Sequence, residues 1–582
     1  MMPAFLTASL IAIPWLGALL VWLVGDRRER VQHGLAVIFA LLGAAAALAL
    51  IPLARPETVL SLELGAAFGA FTLVPDGLGV FIAAIASVIG SLAVIYSVAY
   101  MRHKPQLGRY YALVLFFIGA MAGLALSGSI LFMFFFWEIT ALCSYALISF
   151  FNDKPEAVAG GIKALIVTQL GGVGLLAGAL LIYAATGSYQ LDNFLAQANS
   201  LPPATLAWIA FGLLAAAVAK SAQVPLHTWL PDAMEAPTSV TALIHAATMV
   251  NAGVYLLARL YPACAAVPGW KLAVITIGAL SALLAGLMAL VSADLKRALA
   301  YSTVSQLGYM VYAVGTGAIF ASQFHLLSHA CFKALLFLSA GAVISAVGTR
   351  DLHQMGGLSR QMPFVRTVFL TGALGLAGLP LANGFFSKEL VLEYGLHDGP
   401  FGWYLVMLLG AGITAAYTLR MVYLVFYAPA GTLKARHDAP PAMRIALGAL
   451  ALATLSTWLL AGAFEKLLAE TLPYHGLHAA SLAERLSEIL LAPATWLTVG
   501  VVLVSGLAWW TLRNSRLSRW LAPAAACARQ GLGFETLNQL VVRSTRALAA
   551  GLQRSQTGQL NWNIFGLLVA LLVVLLILTQ SV

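Results

Sequence analysis

Charge is what this sequence has least of. Asp, Glu, Lys and Arg make up 9% of its 582 residues, where a soluble globular domain carries about 25%. Apolar residues fill 61%. That balance excludes a soluble globular protein and describes a chain that crosses a membrane many times. Cysteine is almost as scarce. Cys143, Cys264, Cys331 and Cys527 stand alone with no CxxC, so neither iron–sulfur ligation nor a disulfide framework has support. There is no Walker loop and no GxGxxG behind a strand. Redox and nucleotide chemistry therefore falls to partner chains, and no cofactor is expected in this one. The 32 Lys and Arg against 22 Asp and Glu give a formal net charge of +10. In so apolar a chain this excess reads as cationic loops on one membrane face, not as a nucleic-acid surface.

What is present in quantity is apolar sequence. A spanning helix needs about 20 mostly apolar residues. Sixteen such segments lie near 4–24, 34–53, 76–99, 111–128, 130–151, 161–185, 205–224, 237–260, 270–291, 296–316, 320–346, 365–392, 402–427, 442–463, 493–512 and 562–580. The first has no basic region before it and no clear cleavage site, so it reads as a retained span and not a signal peptide. The cations test this map. Loops after odd-numbered spans hold 22 Lys and Arg, among them Arg27, Arg28, Arg30, Arg102, Lys104, Arg109, Arg350, Arg360 and Arg366. Loops after even-numbered spans hold five: Arg55, Arg259, Lys271, Lys466 and Arg485. The positive-inside rule then puts odd loops in the cytoplasm and both termini on the periplasmic side of a bacterial inner membrane.

A repeat is faintly visible. "KALIVTQLGG" begins at Lys163 and "KALLFLSAGA" at Lys333, while Lys220 in the seventh span is answered by Lys388 in the twelfth. Each offset equals five spans, and an odd number of spans inverts the second copy. Inverted repeats with broken helices are a transporter architecture.

The segment "VAKSAQVPLHTWLPDAMEAPTSVTALIHAATMV", residues 218–250, places charges and prolines where lipid penalises both. A charge at mid-bilayer costs about 2.5–3.5 kcal/mol on insertion scales, and such residues mark ion paths. Lys163, Lys220, Lys333, Lys388 and Arg420 fall within spans, with Glu138 in "FFFWEITALCSYAL". Arg420, near a span end, reads as a snorkelling residue. Lysine suits a proton relay because burial and a nearby carboxylate move its pKa in opposite directions, and Glu138 with Lys220 is the natural pair. In "FHLLSHACFK", His325, His329 and Lys333 share one helical face. Two histidines four apart suit zinc, but no third ligand and no HExxH glutamate accompany them, so a proton wire is the expectation and a metal is not. Pro225 and Pro380 lie within about two turns of Lys220 and Lys388 and are expected to break those helices.

Taken in order, "KSAQVPLHTWLPDAMEAPTSVTALIHAATMV", "DLKRALAYSTVSQLGYM", "FHLLSHACFKALLFL" and "GFFSKE" resemble the antiporter-like subunits shared by respiratory complex I, membrane-bound hydrogenases and Mrp-type cation/proton antiporters. The likeness covers roughly residues 75–430 and leans towards the Mrp and hydrogenase branches. It implies an all-α polytopic fold with two inverted five-helix repeats, spans 4–8 and 9–13, and discontinuous spans 7 and 12. It implies a translocation axis of Glu138, Lys220, His245, Lys333 and Lys388, with Lys163, His329 and Glu389 at further polar positions; His325, from the helical face above, joins them as a candidate relay residue. The resulting domains are 1–110, 111–262, 263–430 and 431–582. Within the last, the basic, partly amphipathic stretch 514–561 is broken by Pro523, Gly531, Gly533 and Gly551 and is expected to lie along the cytoplasmic surface.

The expected function is proton translocation within a multi-subunit inner-membrane complex, as an NADH-quinone oxidoreductase-like or hydrogenase pump. An Mrp-type Na+/H+ antiporter subunit, the membrane subunit of an inorganic carbon uptake complex, and a non-translocating scaffold remain as alternatives. Expected partners are other membrane subunits, lipid, and a redox arm or a soluble peripheral protein.

Overall fold

A computed structural model describes residues 2–572 apart from 27, 66, 430–432, 514, 516–521, 556–563, 567 and 570. The chain opens with α1 (Met2–Val24) and α2 (Glu29–Leu50). A short hairpin of β1 (Leu60–Glu63) and β2 (Ala70–Leu73) follows, antiparallel with Leu60 opposite Leu73 and Glu63 opposite Ala70. An all-helical expectation lacks this hairpin. Its strands are four residues each, and the turn between them uses Gly65 and Gly69 at φ +89° and +67°, a conformation glycine adopts freely.

The helical body continues through α3 (Gly77–Tyr100), α4 (Leu107–Leu126), α5 (Ile130–Ile148), α6 (Pro155–Thr186), α7 (Leu191–Gln197) and α8 (Pro203–Lys220). Short pieces carry the chain past Lys220: α9 (Trp229–Asp232), α10 (Thr238–Ala246) and α11 (Asn251–Cys264). Then come α12 (Trp270–Val291), α13 (Leu295–Thr316), α14 (Ile319–Val347), α15 (Pro363–Ala377), α16 (Asn383–Asp398) and α17 (Phe401–Val422). The body closes with α18 (Pro441–Ser456), α19 (Ala461–Thr471), α20 (Leu482–Leu491) and α21 (Pro493–Leu512).

Thirteen helices among the described residues are long and apolar enough to cross a membrane. Three of the sixteen expected spans are outside that set for different reasons. Helix α13 at 295–316 carries Ser302, Ser305, Gln306 and Tyr309 and is too polar. The expected span 365–392 is divided into α15 and α16. Most of 562–580 lies outside the described residues.

Residues 523–582 form a separate unit. In it, Gly531, Leu532 and Gly533 all have positive φ and interrupt the chain between α22 (Ala522–Arg529) and α23 (Phe534–Ser555). Gly551 lies inside α23 without breaking it. Leu537, Leu540, Val541, Leu548 and Leu552 of α23 are exposed, together with Arg543 and Arg546. Part of the stretch 514–561 lies outside the described residues.

Arg259 departs from its expected place. It is not in a loop but inside α11, 5% exposed, paired with Asp76. Asp76 also caps α3 by accepting from Gly79 N at 2.8 Å. Beside the pair, His475 Nε2 donates to Ala258 O at 2.9 Å, and Gly77 N donates to Thr471 Oγ1 at 2.8 Å. Arg485 is likewise held, between Glu465 and Glu488. Two of the five cations counted in even-numbered loops are therefore paired with carboxylates inside the protein.

The Asp76–Arg259 cluster and its neighbours can be tested in two ways. Removing one member of a buried ion pair leaves the other uncompensated, at a cost of about 3–5 kcal/mol. Asp76→Asn should lower the detergent-solubilised protein's midpoint of thermal unfolding sharply, while Lys466→Gln, in an exposed i,i+4 pair with Glu470, should leave it within error. His475 gives a pH dependence. Burial pushes its imidazole down to about 4, so the folded form holds it neutral while the unfolded chain protonates it near 6.5. Its stabilisation is present above about pH 6.5 and is lost as pH falls from there towards 4. Unfolding midpoints of wild type and His475→Asn, measured from pH 7.5 to 4.5, should differ in slope across that window.

Candidate functional site: a row of buried lysines and histidines

Helix α8 stops at Lys220, five residues before Pro225. Ser221 N still reaches Ala217 O, but Ala222 takes a positive φ of +49° and the helix does not resume. The freed groups find partners. Val224 N donates to Ser281 Oγ at 2.9 Å, Gln223 Nε2 donates to Ser221 O at 2.8 Å, and Trp229 Nε1 donates to Ala219 O at 3.0 Å. Lys220 ends at this break, fully buried. Its Nζ donates to Trp137 O at 2.7 Å and lies 4.8 Å from the Trp137 ring centroid.

Glu138 is the next residue on α5. It is half-buried and forms no ion pair with Lys220: among the described residues, neither carboxylate oxygen has a hydrogen-bond partner. The carboxylate points at Gly172 of α6, where an added Cβ would collide with Oε1. The lysine is thus bound to the backbone beside the glutamate, and the expected pair is not closed.

Breaks recur between α15 and α16. Gly378 and Leu381 take positive φ of +74° and +82°, with Pro380 between them. Lys388 Nζ donates back across this break to Leu376 O at 2.9 Å and lies 5.6 Å from the Tyr309 ring. Its neighbour Glu389 is 2% exposed.

Helix α14 supplies the middle of the row. Lys333 Nζ donates to the Ser302 hydroxyl and to Leu299 O at 3.4 Å, both on α13. His325 joins two helices, with Nδ1 2.9 Å from Ser387 Oγ on α16 and Nε2 3.1 Å from Gln306 Oε1 on α13. His329 is fully buried, and neither ring nitrogen has a protein partner among the described residues. His245, near the end of α10, is in the same condition, with the Phe337 ring of α14 at 4.8 Å.

Lys163 is elsewhere. It is partly exposed and pairs with Asp232 at 2.7 Å. Asp232 also meets Arg297 at 3.4 Å, and Glu235 meets Arg350 at 2.7 Å. The acids of the 218–250 stretch are therefore ties to neighbouring helix ends.

One lysine escapes the sequence reading. Lys296, counted there among loop cations, is 4% exposed and donates from Nζ to Ala236 O at 2.8 Å. The signal for this region was the polar face of "DLKRALAYSTVSQLGYM", where Ser302, Gln306 and Tyr309 recur at i, i+4 and i+7. Four buried lysines, 220, 296, 333 and 388, share one feature: each amine is held by a backbone carbonyl, and none is in an ion pair among the described residues.

Many apolar helices enclosing such a row define a multi-pass membrane protein with an ionisable interior. Comparison with known proteins agrees. A family model described as "NADH:quinone oxidoreductase/Mrp antiporter, TM" matches residues 127–416, and one described as "NADH-Ubiquinone oxidoreductase (complex I), chain 5 N-terminus" matches 68–111. NADH-quinone oxidoreductase subunit L of Escherichia coli is 42% identical over 366 residues, 61% of this chain and 59% of that one. Na(+)/H(+) antiporter subunit A1 of Staphylococcus haemolyticus is 39% identical over 399 residues, 63% of this chain and 50% of that one. Those identities do not separate the two branches. Among solved structures, the Mrp complex from Dietzia sp. matches 99% of this chain and 63% of its own at a TM-score of 0.86 and 29% identity. The membrane-bound sulfane sulfur reductase, an archaeal respiratory complex, matches 97% of this chain at 0.79 and 23% identity, a likeness of fold. The chain belongs to the antiporter-like subunit family of complex I and Mrp-type antiporters. It spans between half and about two-thirds of the length of the relatives it matches in sequence.

The fit of Glu138 against Gly172 is testable. Gly172→Ala should displace the carboxylate and slow ion transport in membrane vesicles about tenfold, equivalent to about 1.4 kcal/mol. Gly448→Ala, where nothing lies within 4 Å, should transport normally.

Proposed function

We propose that this chain is the proton-translocating subunit of a multi-subunit membrane complex, passing protons along Glu138, Lys220, His245, Lys333 and Lys388. The observation that carries the proposal is the partner of each buried lysine. A backbone carbonyl accepts a hydrogen bond from –NH3+ and, more weakly, from –NH2. A carboxylate instead favours the charged form, as at Lys163 with Asp232 or Arg259 with Asp76. The first arrangement lets an amine change protonation state without losing its bond; the second holds a charge in place.

Glu138 gates the entry. In the arrangement described it is apart from Lys220, and closing that pair would draw a proton onto the amine. His325, His329, Lys296 and Glu389 extend the row, and Lys388 hands protons towards the outer side. The two helix breaks, after Lys220 and before Lys388, support two repeats at 111–262 and 263–430, the second inverted. Odd loops then face the cytoplasm and both termini face outwards, as the 22 cations of the odd loops favour.

The face of α5 that carries the exposed Phe135 and Leu142 supports a partner, a neighbouring membrane subunit that covers it. The match to the Mrp complex across 99% of the chain favours one second reading, an Na+/H+ antiporter subunit. Proton is preferred as the transported ion because the row is built from lysine and histidine, while sodium takes oxygen ligands. The chain carries no cofactor in this proposal, and redox or other driving chemistry belongs to its partners.

Lys220→Met and Lys388→Met, introduced separately into the native complex, should each reduce proton uptake by everted vesicles to about a tenth or less. Assembly on native gels should be unchanged, and Lys434→Met, in an exposed loop, should be silent. Full transport by both methionine variants would leave a scaffold as the surviving reading.

A further inference from the structure

Helices α3 and α18 pack against one another, with α14 behind them, and enclose a crevice of about 860 Å³. Its wall on α3 is apolar from Phe81 through Ala84, Ile85 and Val88 to Leu92, about 16 Å of helix at 1.5 Å per residue. One leaflet offers about the same depth of hydrocarbon, half of a core of about 30 Å. A neighbour's spanning helix would need an apolar wall through both leaflets. An acyl chain needs only this one.

The rim is polar and electrically balanced. It carries Arg55 and Glu57 from the turn after α2, and Lys466 and Glu470 from α19, all exposed. Lys466 and Glu470 are 3.8 Å apart. Thr471, bonded to Gly77 N at the start of α3, puts this rim at the end of the wall nearest the membrane surface.

We propose that the crevice is a binding site for a zwitterionic aminophospholipid, with an acyl chain along α3 and the head group among these four residues. The phosphate takes Arg55, whose planar donors suit its oxygens, and Lys466. The ammonium takes Glu57 and Glu470. Two cations with two carboxylates match a head group that carries one charge of each sign, whereas a purely anionic lipid draws Lys466 from Glu470 and offers neither carboxylate a cation in return. The floor of the crevice is Leu327 and Cys331 of α14, one turn apart. Cys331 is two residues from both His329 and Lys333, about 200° around the helix. The lipid therefore backs the helix that carries the histidine–lysine row, on the face away from it.

The test uses the detergent-purified native complex and phosphatidylethanolamine carrying a photoreactive group midway along one acyl chain, with adducts mapped by mass spectrometry. Adducts are expected on Val88 and Leu327. Unlabelled phosphatidylethanolamine at ten times its dissociation constant should reduce them about elevenfold. Phosphatidylglycerol should compete much less well, and a Glu57→Gln, Glu470→Gln double variant should erase that difference. Val88→Trp, which fills the crevice, should abolish the adducts. Equal competition by both lipids in the wild type would overturn the head-group site. Adducts undiminished by Val88→Trp would overturn the crevice as the site. Cross-links from the crevice to another polypeptide, with no lipid adduct on α3 or α14, would replace the lipid with a protein partner.

Discussion

The interaction on which the rest of this molecule depends is a lysine amine bound to a neutral carbonyl inside a membrane. Charged groups at that depth are costly, and proteins usually neutralise them with an opposite charge. This chain does so at Arg259 with Asp76, in a cluster that fastens α3, α11 and the loop after α19. It does not do so at Lys220, Lys296, Lys333 or Lys388. Those amines meet Trp137 O, Ala236 O, Leu299 O and Leu376 O. The same sequence thus uses two treatments of buried charge, one that fixes it and one that leaves it free to change.

Two of these carbonyls, Trp137 O and Leu299 O, lie inside the continuous helices α5 and α13, whereas Leu376 O comes from the end of a broken one, and broken helices need compensation. In hydrocarbon every exposed backbone N–H and C=O must be satisfied by the protein. After Lys220 this falls to Ser281, Gln223 and Trp229. Between α15 and α16 Lys388 contributes itself, since Leu376 O is one of the last carbonyls of α15 and has no further turn to bond to. The negative end of that helix dipole faces the amine. At Lys388, break and lysine give each other a partner; at Lys220 the amine turns instead to α5.

Much of this was legible in the sequence because lipid makes polarity conspicuous. Lys220, Lys333 and Lys388 stand out in runs of Leu, Ala and Phe, and His325, His329 and Lys333 fall on one face by spacing alone. The prolines at 225 and 380 mark the right places, although the helices end at Lys220 and Ala377, ahead of each proline. Helix termination is a backbone event spread over several residues, and here Ala222, Gly378 and Leu381 carry the positive φ values. Pairings were less legible. Lys163 looked like a relay residue because it lies in an apolar run, but α6 begins at Pro155, which leaves it near the helix end and within reach of Asp232. Lys296 is the first residue of the expected span 296–316, a place where a cation reads as belonging to the loop. One-residue steps turn about 100° around a helix, so Arg297 reaches Asp232 while Lys296 turns into the core. The open state of Glu138 and Lys220 was beyond sequence altogether, because two residues on different helices carry no record of distance.

The histidines complete the argument. Among the described residues, no hydrogen bond joins any two of Glu138, Lys220, His245, Lys333 and Lys388, so the row is not a continuous wire. What separates its members differs along the way. His325 is fixed on both sides, by Gln306 and Ser387, and ties α13, α14 and α16 in register. His245 and His329 are buried with both ring nitrogens free of protein partners. A neutral imidazole has one donor and one acceptor and exchanges them by shifting its tautomer, and a ring without fixed partners is free to do so. In the proposed route the lysines hold a proton at defined carbonyls, and His245 and His329 are its two histidines without a protein partner among the described residues. In that route, amines fixed at carbonyls and rings without fixed partners give the proton separate places to rest and to pass.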